Sequence, residues 1–266
     1  MSELASKLSD QLTHSLVTAH STGGRVSAPL PDLEALTRVQ ALRMQSEVAK
    51  LQPPIVGWKV AALADGDVIS APIVHRRFAR SPAILTPAVY GHGGVECEIA
   101  FRFSRQPAAG ASGISEAAVF DAIDGACAAI EVVDTRWDLP APIPRNAMVA
   151  DLLSNGALVV GSFKNDWQSV SFRDLSAQLT INGHTVSHTK GGHSDGNLIS
   201  LLTMLANDLL TRGEHLKAGD VVTTGSFTGF HTARPGDVVQ ALFEGFASVS
   251  VTFSPLQDSG ENNALW

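Results

Sequence analysis

Val95-Glu96-Cys97-Glu98-Ile99-Ala100-Phe101 is the stretch that decides how this sequence folds. Apolar residues alternate with two glutamates, and a period of two marks a β-strand whose successive side chains point to opposite faces. Val95, Cys97, Ile99 and Phe101 therefore share one face, and Glu96 and Glu98 share the other. Neighbouring carboxylates repel by roughly 1 to 4 kcal/mol at about 4 Å, depending on the local dielectric, unless water, a proton or a cation intervenes. The strand is either a surface open to solvent or part of a cation site.

A third glutamate bears on that choice. Glu131 lies in Ala128-Ala129-Ile130-Glu131-Val132-Val133, where an uncompensated carboxylate is expensive to bury. It either joins a local ion pair with the adjacent Asp134 and Arg136 beside a helix end, or meets a cation. Three carboxylates without His or Cys suit a hard, oxygen-loving ion such as Mg²⁺ or Mn²⁺ better than zinc. Lys59 interrupts the apolar run Ile55-Val56-Gly57-Trp58-Lys59-Val60. A lysine there either snorkels to the surface or meets an anion, and a substrate carboxylate is one such anion. Asp151-Leu152-Leu153-Ser154-Asn155-Gly156 and Thr223-Thr224-Gly225-Ser226-Phe227-Thr228-Gly229 set small hydroxyl residues beside glycine. Ser154 and Ser226 are thus candidate substrate contacts, or members of tight turns that bond their own backbone.

Outward from these segments, Leu4, Leu8, Leu12, Leu16 and Val17 recur at helical spacing over residues 3–19. A second helix is predicted over 32–50, with Asp32 as its cap and Leu36, Val39 and Leu42 along one face, stopped by Pro53-Pro54. Further helices are expected over 116–129 and 197–212, the second with a stripe of Leu198, Leu201, Leu202, Leu205 and Leu209. Strand patterns occupy 55–60, 95–103, 157–163, 179–186, 220–224, 238–243 and 247–253. The sum is an α+β chain with a mainly antiparallel core and N-terminal helices. It divides into a helical, lid-like N-terminal subdomain (1–82), a catalytic core (83–255) and a loosely held tail (256–266).

Over 266 residues, 44% are hydrophobic and 17% charged, the balance of a globular chain. A net charge of −7 without a concentrated basic patch argues against a nucleic-acid partner. Cys97 and Cys127 are the only cysteines; both sit in apolar stretches, which disfavours a zinc knuckle and fits a reducing compartment. No apolar run reaches the ~18 residues that span a bilayer, and residues 1–10 lack the apolar centre of a secretory leader. The expectation is a cytoplasmic protein without a membrane partner.

Taken in order, Gly57-Trp58-Lys59-Val60, Glu96-Cys97-Glu98-Ile99-Ala100, Ala129-Ile130-Glu131-Val132-Val133-Asp134-Thr135-Arg136, the Asp151 turn and Gly219-Asp220-Val221-Val222-Thr223-Thr224-Gly225-Ser226 resemble the fumarylacetoacetate hydrolase superfamily. Within it they look most like the 2-keto-4-pentenoate hydratase and 4-oxalocrotonate decarboxylase branch. The resemblance implies a β-roll core, Glu96, Glu98 and Glu131 as ligands of Mg²⁺ or Mn²⁺, Lys59 against the substrate, and a homo-oligomer. The chain departs from that pattern in being shorter between Lys59 and Glu96. Where such hydratases carry a Gly-x-Leu-type loop with an acidic residue, it reads Ala71-Pro72-Ile73-Val74-His75-Arg76-Arg77-Phe78, expected as a loop at the substrate end. The usual Gly-His-Pro is altered to Gly192-His193-Ser194.

The expected substrate is a small 2-oxo acid, which chelates a divalent ion through its C1 carboxylate and C2 carbonyl so that the ion, as Lewis acid, stabilises an enolate. Three outcomes share that enolate. A hydratase adds water to an unsaturated 2-oxo or 2-hydroxydienoic acid of aromatic-compound degradation, and ranks first. Next comes a C–C hydrolase of an acylpyruvate such as maleylpyruvate or fumarylpyruvate, and last a 4-oxalocrotonate-type decarboxylase. Candidate general bases are His75, or His20 with Glu34. Arg76 and Arg77 are candidate grips for a second substrate carboxylate.

Overall fold

The computed structural model describes residues 3–64, 66–86, 91, 93–139, 142–193 and 196–255, with side chains from residue 7 onward; the tail expected over 256–266 and Ser194 lie outside the described residues. A large sheet runs in the order Val68–Val74, Ile55–Ala62, Val221–Ser226, Gly94–Phe103, Ile123–Val133, Asn155–Val160, Phe78–Arg80. A five-stranded sheet runs His184–Lys190, Ser176–Ile181, Val238–Phe243, Val249–Phe253, Ala83–Leu85. Ile55–Ala62 lies parallel to Val221–Ser226, and the short strands Phe78–Arg80 and Ala83–Leu85 are parallel to their neighbours; the other pairings along both sheets are antiparallel. The mainly antiparallel α+β core is as the sequence predicts.

The two faces of the central strands do different work. Val95, Cys97, Ile99 and Phe101 point into the main core, with Ile130, Val132, the Leu198–Thr211 helix and the inner face of the five-stranded sheet. On the opposite face Ala100, Cys127, Ala129, Leu158 and Val221 form a smaller apolar patch beside the glutamates. This face curls strongly. Lys59 stands in line with Thr223, Ala100 and Cys127, so Glu131 is three strands across and four residues along from it, about 20 Å in a flat sheet at ~4.8 Å per strand and ~3.4 Å per residue, yet their side chains are hydrogen-bonded. Only a concave sheet closes that distance.

A second core joins the Glu3–Thr22 and Arg38–Lys50 helices to Trp137, Leu152 and the strand residues Ala71 and Val74. No helix among the described residues is long and apolar enough to cross a membrane. The boundary expected at residue 82 is not a sheet boundary, because Ile55–Ala62 and Val68–Val74 hydrogen-bond into the large sheet.

Four local expectations are corrected. The helix expected over 32–50 is two, Leu30–Glu34 and Arg38–Lys50, and the second starts at Thr37 with a capping box: Gln40 N donates to Thr37 Oγ1, and Thr37 N to Gln40 Oε1. Its buried face is Ala41, Met44, Gln45, Val48 and Ala49, and Val39 faces solvent. The helix expected over 116–129 stops at Ala122, and Ile123–Val133 is a strand buried on both faces, where an unbroken apolar run carries no periodicity to tell it from a helix. The single strand expected over 179–186 is a hairpin turning at Asn182-Gly183, whose φ values of 53° and 78° suit a two-residue hairpin turn. The supposed loop at 71–78 is the edge strand Val68–Val74, which tolerates Pro72 because its outer side has no sheet partner among the described residues, followed by one 3₁₀ turn, His75–Arg77.

Candidate active site

The site is built by register. Glu96 pairs directly with Glu131, and Glu98 follows two residues along on the same face. One carboxylate oxygen from each of Glu96, Glu98 and Glu131 lies within 4.8 Å of the other two. Glu98 and Glu131 are buried and Glu96 is half-buried. On the other side of Gly94–Phe103, the strand Val221–Ser226 bulges between Thr223 and Ser226, with Gly225 at φ 102°. The bulge turns two donors onto one oxygen: Thr223 Oγ1 and Gly225 N (3.0 Å) both donate to Glu98 Oε2.

Glu131 Oε1 accepts hydrogen bonds from the Lys59 ammonium and from Asn155 Nδ2, the latter at 3.1 Å. Lys59 also donates to the Leu153 carbonyl at 2.9 Å. That carbonyl is presented by an unusual turn in which Leu152, Leu153 and Ser154 have φ of 52°, 51° and 56°. L-residues other than Gly, Asn and Asp rarely enter this left-handed region, and each such residue is strained by about 1 kcal/mol or more.

Desolvation, then repulsion from Glu131 and Glu96, pushes the Glu98 carboxyl up to about 8, against the opposing pull of Thr223 and Lys59. Burial, then Glu131, raises Glu96 as well. The residues fit a divalent cation. Fully ionised, three carboxylates against one ammonium carry two net negative charges in a buried cluster, which one divalent ion cancels, and oxygens this close suit ligand distances of about 2.0 to 2.6 Å around a single hard ion.

The glutamates open on a cavity of about 300 Å³ lined also by Lys59, Val60, Ala61, Ala62, His193, Thr224, Gly225 and Ser226. His193 is a residue the sequence reading did not assign to the site. Its Nε2 lies 2.7 Å from the Thr224 carbonyl and so donates to it, and its ring packs on Phe227 with centroids 4.9 Å apart.

The structure brings Glu96, Glu98, Glu131, Lys59 and Ser226 to this cavity and leaves the other expected residues elsewhere. Ser226 Oγ is engaged in its own turn, donating to the Gly229 carbonyl at 3.2 Å. Ser154 is buried in the left-handed turn, which meets Lys59 through the Leu153 carbonyl instead. His75 is exposed and does not line the cavity. Arg76 is held away from it by Gln52 Oε1, at 2.7 Å, and by the His20 carbonyl. Arg77 is buried against the Asn155 and Gly156 carbonyls at 2.6 and 3.1 Å. His20 does not pair with Glu34; it is fully enclosed and bonded to Asp151 at 2.8 Å. Nor is Glu131 part of a local pair with Arg136, whose Nε is 2.6 Å from Asp151. Asn155, Thr223 and Gly225 lie in the two turns that the sequence marks, and His193 in the altered Gly192-His193-Ser194, but none of the four was given a role of its own by local sequence.

A curled, mainly antiparallel sheet that gathers three carboxylates and one ammonium on its concave face defines a class of α+β protein with an acidic, cation-ready cavity. Residues 33–254 match the family described as fumarylacetoacetate (FAA) hydrolase, C-terminal, and the chain belongs to that family. It is 32% identical to a 4-oxalocrotonate decarboxylase of Pseudomonas putida over 162 residues, 61% of this chain and 60% of that protein. It is 31% identical to a 2-keto-4-pentenoate hydratase of Paraburkholderia phymatum over 163 residues, 60% of each. The chain thus matches about 60% of the length of these curated relatives. In fold it resembles a 4-oxalocrotonate decarboxylase from Pseudomonas putida, a structure complexed with magnesium and adipate, with a TM-score of 0.82 and 24% identity over 93% of this chain and 97% of that one.

Proposed function

We propose that the chain is a divalent-metal-dependent hydratase of a small unsaturated 2-oxo acid that carries a single carboxylate. The observation that carries this reading is the convergence of Glu96, Glu98, Glu131 and Lys59 on one cavity. Its support among relatives is the hydratase similarity and the magnesium held by the structural neighbour from Pseudomonas putida. Glu96, Glu98 and Glu131 are the residues to hold Mg²⁺ or Mn²⁺. When bound, the ion supplies Lewis acidity to the 2-oxo group of a chelating substrate.

The protein's own groups do the rest. An ammonium has three N–H donors; Glu131 and the Leu153 carbonyl take two from Lys59, leaving one for the substrate's C1 carboxylate. Thr223 and Gly225 hold Glu98 Oε2, so that its other oxygen is the one free to meet a cation. Ala61, on the same strand face as Lys59, offers an apolar surface to the hydrocarbon end of the substrate.

Charge favours the monocarboxylate. All 19 lysines and arginines of the chain fall within the described residues, and among those residues Lys59 is the one that lines the cavity. A second substrate carboxylate meets acidic groups there and no further cation.

The test is to incubate purified protein and Mn²⁺ with 2-hydroxypenta-2,4-dienoate, 4-oxalocrotonate and maleylpyruvate, and to weigh the products. The expected result is gain of water by the dienoate, abolished by a chelator, with little conversion of the dicarboxylates. Loss of CO₂ from 4-oxalocrotonate or release of pyruvate from maleylpyruvate as the faster reaction overturns it, as does no turnover at all. Lys59→Ala is expected to raise KM about 10- to 100-fold with a smaller effect on kcat, the range of one charge-assisted hydrogen bond. Unchanged steady-state kinetics remove Lys59 from the substrate site.

A further inference from the structure

We propose that His20, on the N-terminal helix, is a positioning residue for this site, fixing the left-handed Leu152–Ser154 turn that holds Lys59. The inference rests on the reading above that Lys59 meets the substrate. It starts from a turn that is strained at three successive residues and must be held from both ends. At its start, the Asp151 carboxylate accepts from Arg136 Nε (2.6 Å), Arg136 N (2.7 Å), Thr135 Oγ1 (3.1 Å) and His20 Nε2 (2.8 Å). At its end, the Asn155 carbonyl accepts from Arg77 (2.6 Å) and Arg136 (3.0 Å), and the Asp134 amide donates to the Ser154 carbonyl at 2.7 Å.

His20 is the one group in this clamp that comes from the N-terminal helix, and its tautomer follows from its partners. Arg77 donates to Nδ1 at 3.1 Å, and a guanidinium has no acceptor, so Nδ1 carries no proton and Nε2–H donates to Asp151. The imidazole thereby bridges the two ends: it touches Asp151, where the turn begins, and Arg77, which grips Asn155, where it stops. Between them sits the Leu153 carbonyl on Lys59, and just beyond is the Asn155 amide on Glu131. A helix remote in sequence from the catalytic strands thus sets the aim of the ammonium.

A mere packing role predicts that any equally disruptive change on the same helix face acts alike. Leu16 is the control: fully buried in the same apolar core, one turn earlier on that face, and outside the polar clamp. His20→Ala, His20→Gln and Leu16→Ala are compared on folded protein by three readouts: hydrogen exchange of the peptide spanning 151–156, affinity of the Mn²⁺-loaded protein for oxalate by calorimetry, and steady-state turnover. His20→Ala is expected to speed exchange in that peptide at least tenfold and to raise the oxalate Kd and the KM about tenfold, with Mn²⁺ affinity within threefold of wild type. Gln, which retains a donor to Asp151, recovers most of the loss, and Leu16→Ala leaves exchange of 151–156 and both affinities unchanged. Wild-type exchange in His20→Ala, or equal losses in Leu16→Ala, overturn the proposal. Exchange is read without substrate or metal, so it judges His20 even where wild-type turnover fails and the hydratase reading falls.

Discussion

Glu98→Gln is expected to lower Mn²⁺ affinity at least about a hundredfold and to abolish metal-dependent turnover, while the protein still folds. Loss of a group that only supports a ligand typically weakens a metal site by about 10- to 100-fold, and Glu98 is placed as a ligand. The fold survives because the Gln oxygen can still accept from Thr223 and Gly225, as Glu98 Oε2 does. A second consequence separates this site from a decorative acidic cluster. The Glu98 carboxyl is raised from 4.5 to about 8, mainly by burial. A carboxyl raised in the folded state contributes stability that is present below pH 4.5 and lost as pH climbs towards 8. Gln has no such loss. Without metal the variant should therefore melt above the wild type at pH 8, and with Mn²⁺ it should melt below it. Retained Mn²⁺ binding, or melting temperatures that keep the same order with and without the ion, would count decisively against the three-glutamate site.

His20 should make the protein acid-sensitive by about 3 kcal/mol between pH 6.5 and 4. Burial lowers its imidazole from 6.5 to about 4, with Arg136 and Arg77 pushing the same way against the pull of Asp151. Across that window the unfolded chain takes up a proton that the folded chain refuses, so stability falls as pH falls, at about 1.4 kcal/mol per unit. The groups facing the ring are Asp151 and Arg77, with Arg136 behind them. Urea unfolding of wild type and His20→Gln at pH 7 and pH 4.5 reads the effect as a difference, which cancels the carboxylates common to both proteins. The Gln variant should show the shallower loss; parallel pH dependences would mean that His20 is not held neutral.

The candidate site was legible in the sequence to the extent that local pattern dictates side-chain direction. Alternation in 95–103 placed Glu96 and Glu98 on one face, and the apolar setting of Glu131 and Lys59 marked both as residues in need of partners. The Asp151 and Thr223 turns were visible as turns, but their contributions were not. They act through a Leu153 carbonyl and a Gly225 amide, backbone groups that carry no residue-specific signal, and through a Thr223 hydroxyl whose partner lies on a neighbouring strand. The misplaced features have equally local causes. Thr37-x-x-Gln40 and Asn182-Gly183 carry local cap and turn signals, whereas the strand at 123–133 is uninterrupted by polar residues from Gly125 to Ile130 and offers no period to read there.

Local chemistry, then, was enough to determine an α+β chain, the faces of its central strands and the acidic identity of its site. Tertiary structure alone decided that Glu96 lies opposite Glu131, that the sheet curls far enough for Lys59 to reach across three strands, and that His20 bonds Asp151 and not Glu34. Side-chain periodicity is a property of neighbouring residues. Register, curvature and the partner of a buried imidazole 131 positions away are set by which distant surfaces pack together, and no short stretch of sequence contains both halves of such a contact.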